Sequence, residues 1–247
     1  MAIEVFTRRT SNRLSPAGWT RGAALPCCLL LLFVATSSAA QQLHIRTFTP
    51  DEGLAASQTW AIYQDRIGYL WFGTAAGLSR YDGTTFSNVT VADGLPDPLV
   101  RTISQSGDGH LWFGTNAGVA RFDGRTLRRY GERDGVGKGT VWASIVDARG
   151  QVWFGTQDGG LSVFDGKGFR TFTERDGLPD NYVYSLFSAH DGAIWMGTRA
   201  RGVARFTPGP HGEPQALEAY TTADGLPNDA VAAVLGARRA LTAQRDS

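Results

Sequence analysis

The chain has 247 residues, 42% of them hydrophobic, with 31 glycines and a formal charge of +1. That length supports a large core, and abundant glycine beside short aromatic runs points to an all-β chain. Setting aside Arg8, Arg9, Arg13, Arg21 and Glu4 of the N-terminal stretch leaves 20 basic against 22 acidic residues, which argues against a nucleic-acid partner.

Those four arginines precede an apolar run from Ala23 to Ala35, and Ser38-Ala39-Ala40 then places small residues ahead of Gln41. This is the order of a secretory signal, so residues 1-40 are expected to be a cleavable signal peptide and the rest periplasmic. The apolar run is short for a spanning anchor, although an uncleaved anchor is the alternative. Both cysteines, Cys27 and Cys28, lie in the leader, which leaves the remainder without thiols for catalysis, disulfides or thiolate metal sites.

After the leader, His44 to Thr49 is expected to be a strand, and a repeat begins. Leu70-Trp71-Phe72-Gly73-Thr74 returns as Leu111-Trp112-Phe113-Gly114-Thr115, Val152-Trp153-Phe154-Gly155-Thr156 and Ile194-Trp195-Met196-Gly197-Thr198. The tryptophans are 41, 41 and 42 residues apart, the period of stacked four-stranded units. Gly53, Gly94, Gly135 and Gly177 each precede the next tryptophan by 18 residues, so each unit is one rigid piece.

In the second unit the strands read Leu99 to Gln105, His110 to Thr115, Gly118 to Phe122 and Thr126 to Tyr130, with a hairpin turn at Asp123-Gly124. Such a sheet has two apolar faces that only face-to-face packing around an axis can bury. The fold expected is a β-propeller of four four-stranded blades over residues 41-235, with blade cores near 55-91, 97-131, 138-173 and 180-221. Trp71, Trp112, Trp153 and Trp195 are assigned to the structural core between blades. An insertion, Pro208-Gly209-Pro210-His211-Gly212-Glu213-Pro214, is composed like a surface loop.

The succession Asp-Gly-Leu-Pro, a Val-x-x-Ile-like strand, Gly-x-Leu-Trp-Phe-Gly-Thr and Gly-Leu-x-Arg-Tyr-Asp-Gly resembles the two-component regulator propeller repeat. The resemblance implies the periplasmic sensor region of a hybrid histidine kinase, where propellers precede a sandwich domain, a membrane helix and the kinase. A weaker similarity is to streptogramin-type lyases. The fifth unit opens correctly with Asp224-Gly225-Leu226-Pro227 and Val231, but Ala243 stands where its tryptophan is due. This reads as a partial fifth blade and a truncated chain without its kinase module, with residues 236-247 a degenerate, disordered tail. The ring would then be incomplete or open, and bare blade faces would favour self-association.

Slots that vary between repeats are free of the scaffold. Eleven residues before each tryptophan stand Trp60, Arg101, Trp142 and Tyr184, beside small residues, and the hairpins at the same mouth carry Ala75, Asn116, Gln157 and Arg199. Trp60, Arg101, Trp142, Tyr184, Asn116, Gln157 and Arg199 are the candidate ligand-binding residues, since aromatic faces with arginine and amide donors suit sugar rings or acidic saccharides. The alternative is that these side chains plug gaps between blades. His44, His110, His190 and His211 show no metal-ligand spacing, and no nucleophile elbow or phosphate loop occurs, so neither a metal nor a cofactor is expected. The function expected is a non-catalytic extracytoplasmic sensor, with a saccharide the ligand class implied by resemblance. A propeller lyase acting on a small molecule or polysaccharide and a protein-interaction scaffold are the rivals.

Overall fold

A computed structural model describes residues 46–210 and 212–236. The signal-peptide assignment, His44, His211 and the tail from 237 lie outside the described residues. Blade 1 is β1 (Thr59–Gln64), β2 (Leu70–Thr74), β3 (Gly77–Tyr81) and β4 (Phe86–Val89), and blade 2 is β5 (Val100–Gln105), β6 (Leu111–Thr115), β7 (Gly118–Phe122) and β8 (Leu127–Tyr130). Blade 3 is β9 (Val141–Val146), β10 (Val152–Thr156), β11 (Leu161–Phe164) and β12 (Phe169–Phe172). Blade 4 is β13 (Val183–Ser188), β14 (Ile194–Thr198), β15 (Val203–Pro208) and β16 (Pro214–Tyr220). Each blade is an antiparallel meander in chain order. The first strands touch in succession, β1 to β5 to β9 to β13, so they form the inner layer of a propeller. Among the described residues no strand of blade 1 pairs with blade 4, and the four sheets make an open arc.

Two expected elements are corrected. Residues 46–49 are not a strand: they lead into a 3-10 turn, Pro50–Glu52, and Phe48 rests instead on Phe72, Tyr81 and Phe86. The insertion is not a detached loop, because Pro208 and Pro214 pair and extend the β15–β16 hairpin over blade 3. There it does a specific job. Arg80, Arg121 and Arg205 sit opposite Trp71, Trp112 and Trp195 and lay their guanidinium groups over the indoles, but opposite Trp153 the slot holds Val163. Gly212 packs on Val163, and Arg149 Nη1 donates to the Gly209 carbonyl at 2.5 Å, so the insertion covers the indole that lacks its arginine.

The constant Asp-Gly of the linkers has a local cause. Asp93, Asp134, Asp176 and Asp224 each accept the backbone N–H three residues earlier, at 2.8–2.9 Å, and so close a 3-10 turn. The glycine that follows takes a φ between +93° and +124°, which a side chain would resist.

The tryptophans meet the next blade: Trp71 against Phe113, Trp112 against Phe154 and Trp153 against Phe206, with ring centroids 5.5–5.7 Å apart. Burying an aromatic side chain of this kind is worth about 1.5–3 kcal/mol. Each buried indole N–H also needs an acceptor. The residue six positions earlier supplies it: Asp65 for Trp71 at 2.8 Å, Ser106 for Trp112 at 3.1 Å and Asp147 for Trp153 at 2.9 Å. In blade 4 that slot is Ala189, and Trp195 is only half-buried, lying on Tyr220 beside an open hollow of about 1030 Å³ also lined by Phe187 and Leu226.

The hairpin turns carry a pH signature. Backbone N–H groups of Thr126 and Arg125 hold the Asp123 carboxyl at about 2, and the equivalent turns lower Asp82 and Asp165. A folded value below the unfolded one means that this stabilisation is whole above about pH 4 and is lost as pH falls toward 2. The melting temperature should therefore drop over that interval, and less steeply in Asp123→Asn. Parallel melting profiles for the variant and the parent would refute the assignment.

Candidate functional site

The register of the inner strands explains how one slot comes to face the mouth in every blade. Thr59 pairs with Thr74 but Ala61 pairs with Gly73, so Trp60 is an extra residue without a partner. The same break occurs at Arg101, at Trp142 and at Tyr184. A bulge of this kind turns one side chain out of the alternation and bends its strand. Opposite each bulge lies the glycine of the Trp-x-Gly-Thr phrase, and a Cβ there would meet the following inner strand: 2.7 Å from the Val100 carbonyl at Gly73, and 2.6 Å from Val141 at Gly114 and Val183 at Gly155. Thus the invariant glycine brings the next blade close, while the adjacent bulge residue varies freely.

The four bulge side chains converge into one strip. The Arg101 guanidinium lies between two indoles, 4.6 Å from the centroid of Trp60 and 4.2 Å from that of Trp142. Trp142 continues to Tyr184 at 5.6 Å and to Tyr182 at 6.2 Å, and Arg199 lies 5.2 Å over Tyr182. Such cation–π contacts are worth about 0.5–2 kcal/mol each. Arg101 Nε donates to Asn116 Oδ1 at 3.0 Å, which fixes the guanidinium in its slot, and burial lowers the Arg101 pKa. Trp60 is nevertheless 44% exposed, and the buried Trp142 Nε1 has no acceptor among the described residues.

Six of the seven expected site residues are thereby brought together, in contact with a neighbour in the strip. Gln157 is the exception: its Cβ lies beside Gly139, where an added Cβ would be 3.1 Å away. Tyr182 was missed. It occupies the slot just before the inner-strand valine, filled elsewhere by Gln58, Leu99 and Thr140, and that variability was the available signal.

The histidines lie elsewhere. His110 Nδ1 is 2.6 Å from Asp108, but on the turn after β5, a strand length of about 16 Å from Arg101. Burial works against the Asp108 carboxylate, yet hydrogen bonds from the Ser106 hydroxyl and from His110 outweigh it and hold its pKa at about 2. His190 occupies the equivalent turn of blade 4. Among the described residues no group of three His, Cys, Asp or Glu side chains is placed to hold a metal.

Comparison with known proteins agrees with this architecture. The family profile described as two component regulator propeller matches residues 53–76, 94–117 and 177–200, each span running from a linker glycine through the tryptophan strand. A stretch of 60 residues is 45% identical to histidine kinase P4 of Formosa agariphila, covering 24% of this chain and 4% of that protein. The extracellular domain of a hybrid two-component system from B. thetaiotaomicron superposes with a TM-score of 0.61 at 23% identity, over 71% of this chain and 24% of that one. PorZ of Porphyromonas gingivalis gives 0.62 at 16% identity, over 77% and 31%. Virginiamycin B lyase of Staphylococcus aureus gives 0.53 at 18% identity, over 66% and 55%. At these identities the structural likenesses establish a shared propeller fold. The recurrent phrase, the meander sheets and the matched spans show that this chain carries two-component regulator propeller repeats.

Proposed function

We propose that this chain is the extracytoplasmic, non-catalytic sensing propeller of a two-component system, and that it binds a saccharide on the strip at its mouth. The observation that carries the reading is the strip itself. Four bulges aim four non-equivalent large side chains at one surface, and the arginine among them is held between two indoles with one indole face left open. Flat aromatic faces stack on sugar rings, and guanidinium and amide groups donate to their oxygens. The stretch similar to a histidine kinase supports a kinase as the partner that would receive the signal. Ligand would act by favouring one arrangement of the propeller against its neighbours. The bare face around Trp195 is the surface for self-association. A lyase would want a histidine beside a carboxylate at the mouth, whereas His110 and Asp108 pair at the far end of the blade.

The test is a panel of oligosaccharides titrated against the purified chain, read by calorimetry and by tryptophan emission. A binder should be found, and Trp142→Ala should weaken it by up to about tenfold, since stacking on an aromatic face is worth about 0.5–1.5 kcal/mol. A panel without a binder, together with capture of a protein that Trp142→Ala leaves intact, would favour the interaction scaffold.

A further inference from the structure

The third linker departs from the other repeats in a way the scaffold does not use. In three other linkers an acid or amide closes the turn: Asp97 accepts from Leu99 N–H, Asp180 from Tyr182 N–H and Asn228 from Ala230 N–H, at 2.8–2.9 Å. The third linker reads Gly137-Lys138-Gly139, with lysine in that slot. Backbone packing replaces the lost bond. Asp158 N–H donates to the Lys138 carbonyl, Gln157 N–H donates to the Thr140 carbonyl, and Gly159 lies so close that a Cβ on it would be 2.1 Å from Lys138 N. Glycine pairs on both sides thus do the work of the missing carboxylate, and the Lys138 side chain is left exposed without an ion pair among the described residues.

That side chain borders a hollow of about 580 Å³ between the β6–β7 hairpin and the linker, walled also by Asn116, Glu132, Arg133 and Gly139. Arg133 likewise has no ion pair among the described residues, and Asp134 on the same wall accepts the Gly131 N–H at 2.9 Å. Asn116 joins the hollow to the strip. Its carbonyl oxygen already accepts from Arg101 Nε at 3.0 Å and from Thr140 Oγ1 at 3.3 Å, so what remains for the hollow is its amide donor. Lys138, Arg133 and the Asn116 amide donor therefore border one cavity together with two carboxylates, of which Asp134 is turned to the Gly131 N–H and Glu132 is the other.

We infer that this hollow is an oxyanion subsite, seating a carboxylate or sulfate group of the ligand while a ring of the same ligand stacks on Trp60 or Trp142. The inference rests on the strip being the binding surface. It also explains why the acid of the linker is inverted to a lysine only beside Asn116 and Arg101: an aspartate there would repel the incoming anion.

Three tetrasaccharides of equal length serve as probes: galacturonate, 6-sulfated galactose and unmodified galactose. Free galacturonate, followed through the backbone amide resonances of Lys138 and Gly139, tests the hollow without the strip. Binding of either acidic tetrasaccharide at least tenfold more tightly than the neutral one, with that preference lost in Lys138→Gln and kept in Lys138→Arg, supports the subsite. The preferred member of the pair identifies the group as carboxylate or sulfate. Tetrasaccharides that bind without regard to charge, or that ignore Lys138→Gln, overturn the subsite and leave the strip standing. Failure of all three, with galacturonate still shifting the Lys138 and Gly139 amides in the parent but not in Lys138→Gln, overturns the saccharide strip and keeps the anion site. Silence in every arm overturns both. Lys138→Gln makes no folded-state contact to lose, so its melting temperature should match the parent.

Discussion

Trp112→Ala should cost about 3–5 kcal/mol, whereas the same change at Trp195 should cost about 1 kcal/mol, although the two residues hold one slot of one repeat. Trp112 has no exposed surface, touches Phe154, Phe164 and Phe169 of the next blade, and donates its indole N–H to Ser106. Its removal leaves a cavity among aromatic rings that cannot collapse, and takes away the indole hydrogen bond to Ser106, whose hydroxyl keeps Asp108 as a partner. Trp195 meets Tyr220 of its own blade, faces the open hollow and has Ala189 where the acceptor should be. Urea unfolding followed by circular dichroism measures both, and near-equal losses would mean that the face of blade 4 is covered in solution. For a chain of this size the Trp112 variant should melt roughly 6–20 °C lower than the parent.

Gly155→Ala is the second large effect, expected at about 1–3 kcal/mol although it adds one methyl group. The new Cβ would stand 2.6 Å from Val183 Cγ1 and 3.0 Å from the Val183 carbonyl, so blade 4 must move away from blade 3 or the bulge at Trp142 must open. Gly168→Ala is the control, because nothing lies within 4 Å of its Cβ and its φ is not positive. A Gly155→Ala protein as stable as the Gly168→Ala protein would show that the blades are not in close contact there. Because the bulge carries Trp142, the clash should also weaken the saccharide binding proposed for the strip.

The repeat phrase made the blades legible because its causes are local. Period, turn glycines and the alternation of apolar residues all act within one meander, so the sheets fell near their expected places. Strand starts at Val100, Leu111 and Leu127 lie one residue inside the expected ones, since Asp97, Asp108 and Asp123 take the preceding backbone groups into turns. The Asp-Gly linker phrase was visible as punctuation, but not as a 3-10 turn closed by its own carboxylate.

The aromatic strip was legible only as a slot. Subtracting what all repeats share left Trp60, Arg101, Trp142 and Tyr184, and variation among them marked the position. No spacing rule could say that Arg101 lies between two tryptophans about forty residues to either side, nor that Asn116 holds it and borders the Lys138 hollow. Those contacts run between blades, and their geometry depends on bulges whose register is set by the close approach of the following inner strand. The insertion shows the same division. Its proline and glycine content signalled a loop, while its place over Val163 followed from an arginine missing in a different blade.

By itself the sequence determined the repeat, the meander and the buried character of the indoles, because each is settled by forces acting within about forty residues. Only the tertiary structure decided which indoles are sealed, which variable side chains share a surface, and what covers the one indole without its arginine. These depend on how far one sheet slides over the next, a quantity carried jointly by a glycine in one blade and a valine in another.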